Sequence, residues 1–98
     1  MNDEEIVAAN KMVDEFMDNH RLPRTDFQWL NSDLICFHLN WELQIAAWKK
    51  AIERLRKYDS QIHYNLCGLY SQGVNNNDKM QSFKVLIEAI TVIKSIPI

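Results

Sequence analysis

Between Pro23 and Gly68 the chain contains no glycine and no proline, and in all 98 residues there are only two of each. Average usage, about 7% glycine and 5% proline, would place roughly twelve such residues in a chain of this length. Sandwiches and barrels reverse the chain at the end of every strand, and those turns draw heavily on both residue types. A chain this poor in them has to build its interior from helices. Its length allows one domain, residues 1–98, which buries roughly two-thirds of its unfolded surface. Separate cofactor and substrate domains do not fit in it. The expectation is an all-α fold, a small antiparallel bundle of four to five helices.

Capping signals place those helices. Asn2 with Glu5, Thr25 with Gln28 and Asp78 with Gln81 each have the spacing of a capping box, in which the two side chains satisfy each other's free backbone amides. The first helix is expected over about 3–19, with Ile6, Ala9, Val13 and Phe16 on its buried face and Met12 and Met17 beside them. It should stop near Asn19–His20, because Leu22 precedes Pro23 and is pushed out of helical geometry. The second is expected over about 26–57, either continuous or broken near Asn40. Its stripe runs through Phe27, Asn31, Leu34, His38, Trp41, Ile45, Trp48, Ile52 and Leu55 at spacings of four and three. A single helix over 26–72 is an alternative, but Asp59-Ser60 makes a plausible N-cap within it. A third helix over 60–72 would then end at Gly73, and a fourth would run over 79–95 before Pro97. That last helix is apolar over most of its circumference, as befits a helix that is central or covered by another chain.

Tyr64 to Tyr70, then Gly73-Val74, Asp78, Phe83 and Glu88-Ala89, resemble one helix pair of the Sel1 or tetratricopeptide type. The likeness implies two helices that cross closely at small residues, with a tyrosine filling the gap. It covers about a third of the chain, and Ser82 stands where such a repeat usually has alanine. Repeat architectures need about three units to bury a continuous core, and there is no second copy here. The likeness describes one hairpin rather than a family.

Charge is unevenly spread. Residues 1–20 carry six acidic side chains and one basic, residues 21–58 carry seven basic and four acidic, and residues 59–98 carry three of each. The net charge is −2 and the isoelectric point about 5.8, which neither demands nor forbids nucleic acid. No stretch has the ~18–20 consecutive apolar residues of a membrane span. The acidic start is the opposite of a secretory leader, and two cysteines do not make a disulfide framework. Two reduced thiols in a cytoplasmic protein are the expectation.

Several side chains invite chemistry. His38 and Glu42 are four apart, as are His63 and Cys67, and Cys36 lies two before His38. Such spacing puts both members on one helix face, the way helical metal ligands are presented. A lone polar residue in an apolar stripe more often fixes register, however, and isolated cysteines pack as small hydrophobes. Neither C-x-x-C pairs nor H-E-x-x-H occurs, so no metal and no cofactor is expected. Nucleophilic catalysis by either cysteine would need an activating histidine and an oxyanion hole, so no enzyme activity is expected.

Lys49, Lys50, Arg54, Arg56 and Lys57, with Arg21 and Arg24 nearby, form a basic segment able to track phosphates. Nucleic-acid binding through residues 49–57 is therefore the alternative function. The leading expectation is protein–protein contact, as a homodimer or on a larger target, in the manner of a small inhibitor, regulator or adaptor. It rests on residues 26–48 read as one helix that is apolar on two sides. Trp29, Phe37 and Leu43 are the expected anchors, since aromatic residues dominate interface energetics.

Overall fold

Every helix begins at a side chain that takes up its first free amides. The computed structural model describes residues 1–19 and 23–96, with helices α1 (Asp3–Phe16), α2 (Asp26–Asn31), α3 (Trp41–Tyr58), α4 (Ser60–Asn75) and α5 (Lys79–Lys94). Asn2 and Glu5 cap α1 reciprocally, as Thr25 and Gln28 cap α2. Asn40 Oδ1 accepts from the Leu43 amide, and Asp78 Oδ1 accepts from the Gln81 amide. Asp59 accepts from both Gln61 and Ile62, at 2.9 and 3.1 Å. It is the one residue between α3 and α4, and its extended backbone (φ −153°, ψ 108°) ends any continuous helix from 26 to 72.

Two helices end in left-handed residues that are not glycine. Asp18 (φ 57°) follows α1, and Asn77 (φ 52°) follows α4. In both, the next amide reaches back to the third carbonyl from the helix end: Asn19 to Asp14 at 3.2 Å, and Asp78 to Gly73 at 2.9 Å. These are Schellman closures, which satisfy carbonyls that the helix leaves free. Asp and Asn tolerate this conformation better than other side chains. The first helix thus stops three residues before the expected Asn19, and the expected stops at His20 and at Pro97 lie outside the described residues. Gly73 is not the cap expected of it. It lies inside α4, where a Cβ would clash with Ser82 Oγ and come within 2.9 Å of the Ser82 nitrogen. Gly73 is there for the close crossing of α4 and α5, the feature that the hairpin likeness implied.

The expected second helix is broken at Asn40, which caps α3, and the break reaches back to Ser32. After α2 the residues 32–40 form consecutive non-helical turns, and Ile35, Cys36, Phe37 and His38 are all buried. Four consecutive buried residues exceed what one face of a helix can hide, but suit an irregular segment threaded through a core. Phe27 and Leu34, taken as stripe positions, are exposed. Within α3 the buried positions are Gln44, Ala47, Trp48, Ala51 and Leu55, while Ile45 faces outward. Ala47 and Ala51 let neighbouring helices come close, so the face turned inward includes these two alanines.

α5 is central, packing against α1, α3 and α4. Phe83, Leu86, Ala89 and Ile90 are fully buried on it, which answers the question raised by its nearly all-round apolar sequence. The Trp48 and Tyr70 rings stack 4.1 Å apart and nearly parallel, tying α3 to α4. A second, smaller cluster of Val7, Trp29, Ile35 and Cys36 lies between α1, α2 and the irregular segment. Among the described residues, no helix is long and apolar enough to cross a membrane.

Candidate functional site

A buried irregular segment needs partners for its backbone polar groups, because water does not reach them. Two side-chain amides supply these for residue 37. Asn10 of α1, fully buried, accepts the Phe37 amide on Oδ1 at 2.8 Å. Gln44 of α3, also fully buried, donates from Nε2 to the Phe37 carbonyl at 3.0 Å and to the Lys79 carbonyl at 3.1 Å. Its Oε1 accepts the Tyr70 hydroxyl at 3.1 Å. Gln44 therefore joins the irregular segment, α3, α4 and the start of α5, with both Nε2 hydrogens donated and Oε1 accepting once.

The same logic fixes the state of His38. Since Asn10 Oδ1 takes the Phe37 amide, Asn10 Nδ2 is the donor, to the Trp29 carbonyl at 3.0 Å and to His38 Nδ1 at 2.9 Å. His38 Nδ1 is thus an acceptor, and the ring is neutral with its proton on Nε2. Burial pushes the His38 imidazole below its ordinary value of 6.5, against the opposing effect of a backbone hydrogen bond with Leu30. Protonation at Nδ1 would also set a donor against the Asn10 amide. With the folded-state value lowered, the unfolded chain binds this proton more readily. The His38 contribution to stability is therefore complete above about pH 6.5 and declines as the pH falls below it. The melting temperature should fall as the pH drops below about 6.5, and the His38 ring resonances of the folded protein should titrate at lower pH than those of the unfolded chain.

The expected partner anchors do not share one surface. Trp29 and Phe37 are buried within the chain's own core, Phe37 at 1% exposure, and Leu43 is half-buried against the main core. Trp29 packs in the small cluster with Val7 of α1, Ile35 and Cys36, and Phe37 belongs to the main core. The large apolar side chains that stand furthest out among the described residues are Phe27 (73% exposed), Leu34 (78%) and Tyr64 (75%). Phe27 and Leu34 read in sequence as core because they fall on the seven-residue repeat. The signal against that reading is Ser32-Asp33, whose side chains compete for backbone hydrogen bonds.

The basic segment is divided. Lys50 Nζ donates to the Phe16 carbonyl at the end of α1 and lies 3.3 Å from Asp18. Lys50 and Arg54 both stand over the Phe16 ring, at 4.7 and 5.2 Å from its centroid. These two cations cap and cover the end of α1. Lys49, Arg56 and Lys57 are exposed, with Lys57 3.9 Å from Glu53. Arg21 lies outside the described residues.

The candidate metal ligands are spread among separate partners. Cys36 Sγ donates to the Gln28 and Trp29 carbonyls at 3.2 and 3.0 Å, while His38 faces Asn10. Cys67 Sγ lies 3.7 Å from His63 Nε2 on α4. Burial raises both thiols above their ordinary value, so neither carries the thiolate character of a nucleophile. Among the described residues no group of three or more His, Cys, Asp or Glu is placed to hold a metal. Compared with protein-family models, with curated proteins and with solved structures, the chain matches none.

Proposed function

We propose that this is a non-catalytic protein–protein interaction domain, a small stoichiometric inhibitor, regulator or adaptor that acts by steric binding to a protein partner. The observation that carries this reading is the outward display of Phe27 and Leu34 by a segment whose inner side is fixed. Trp29, Cys36, Phe37 and His38 anchor that segment through core contacts and through the Asn10 and Gln44 amides. Side chains held on such a backbone need little further ordering on binding, and burying each contributes about 1.5–3 kcal/mol. Each stands beside an exposed carboxylate, Asp26 next to Phe27 and Asp33 next to Leu34. The surface best matched to them is an apolar pocket rimmed by lysine or arginine. With Lys50 and Arg54 engaged on α1, the basic segment has fewer cations free for phosphates, and the protein-binding reading is preferred over the nucleic-acid one.

The test is a photo-crosslinker placed beside Phe27, compared with one at exposed Lys11 on α1. A single partner captured from position 27 should be lost by about tenfold or more in a Phe27→Ser/Leu34→Ser variant that melts like the wild type. Equal capture by the variant, or equal capture from position 11, would overturn this assignment.

A further inference from the structure

Among the described residues, nothing gives Gly68 a structural reason. It sits near the middle of α4, is exposed, and a Cβ built on it meets no atom within 4 Å. A glycine there costs about 1 kcal/mol of helix stability relative to alanine, and no contact within the domain repays it. α4 is also the one helix among the described residues with no Lys, Arg, Asp or Glu anywhere along it. Its outward stripe is Gln61, Tyr64, Asn65, Gly68, Gln72 and Asn75, exposed at every position. A shallow hollow of ≈ 390 Å³ lies over Gly68, between Tyr64, Leu69 and Gln72.

We infer that this face is a self-association surface, on which α4 packs against α4 of a second copy in antiparallel fashion about a two-fold axis at Gly68. A two-fold axis brings each patch against its own image, so a patch carrying net charge repels its copy. The acidic α1 and the basic outer side of α3 carry that penalty, and α4 does not. Amide and hydroxyl side chains carry both donor and acceptor, and so can match their own image where a charged group cannot. The stripe is also balanced about Gly68. An axis there sets position 64 against 72 of the other copy, and 61 against 75. The missing side chain at 68 lets the two backbones approach closely, with each Tyr64 lying over the other copy's hollow. A single helix face is small for an interface, so the association is weak and concentration-dependent.

Sedimentation of the full chain across a concentration series tests this. The expected result is a reversible shift from 11.6 kDa toward twice that mass. Gly68→Glu places two like charges on the axis and should raise the dissociation constant by about tenfold or more. The monomer accepts this change, since the site is open, so its melting temperature should hold or rise. Tyr64→Glu should also weaken association, and Tyr64→Glu/Gln72→Lys should recover part of it, because that register pairs the new charges across the axis. Phe27→Ser/Leu34→Ser should self-associate like the wild type. A wild-type chain that stays monomeric at millimolar concentration overturns the inference, as does a Gly68→Glu chain that dimerises unchanged. Failure of the charge pair to recover any association overturns the stated register.

Discussion

Gln44→Glu should lower the melting temperature by roughly 15 °C or more at neutral pH, reflecting about 3–5 kcal/mol lost from a domain of this size. The substitution hardly alters volume, so the loss isolates the hydrogen bonds. Gln44 Nε2 lies between two carbonyl oxygens, those of Phe37 and Lys79. A carboxylate there places oxygen against oxygen and removes the Gln44 donor from both carbonyls, in a site with no exposure to water. The Tyr70 hydroxyl keeps its acceptor, so the α4 contact alone does not rescue the variant. At lower pH the new carboxyl takes up a proton and regains one donor, and the deficit relative to the wild type should narrow. Thermal unfolding followed by circular dichroism at two pH values checks both parts. A variant as stable as the wild type would mean that Gln44 does not bridge these segments.

Trp29→Ala should cost about 3–5 kcal/mol, as large aromatic truncations in cores do. Trp29 is 6% exposed and is the largest side chain in the cluster with Val7, Ile35 and Cys36. Removing it opens a cavity beside the carbonyl that holds Asn10 Nδ2. Phe27→Ala, two positions away, should change stability by no more than about 0.5 kcal/mol, because that ring is already in solvent. Denaturant unfolding of the two variants side by side settles which aromatic belongs to the core. Comparable losses, or a larger one at Phe27, would reverse the assignment.

The contrast between those two residues shows what the sequence made legible. Helix starts were readable because they depend on short-range chemistry: Asn2 and Thr25 form the reciprocal boxes their spacing implied, Asp78 makes only the forward bond to Gln81, and Asp59 caps α4 as the Asp59-Ser60 pair suggested. The all-round apolar character of residues 79–94 likewise pointed to a central or covered helix, and α5 is central. Residues 32–40 were not legible in the same way. Their apolar residues continue the spacing of α3, yet their conformation depends on Asn10 and Gln44, which lie far from one another in sequence. Amides read as ordinary polar positions became the groups that allow an irregular backbone inside the core. Once that segment is irregular, the helix with two apolar faces no longer exists. Trp29 and Phe37 then turn inward, while Phe27 and Leu34 turn out.

The corner at Asp59 works as a fulcrum. Trp48 and Tyr70 lie equally far from it along the chain, each about three helical turns away, which makes two arms of about 16 Å. A swing of about 10° at the corner would displace the far ends by about 3 Å, comparable with the 4.1 Å that separates the stacked rings. The ring stack is therefore the distant reading of a single residue's backbone angles. Two aromatic planes can lie flat against each other there because one carboxylate, taking two amides, holds the corner between their helices.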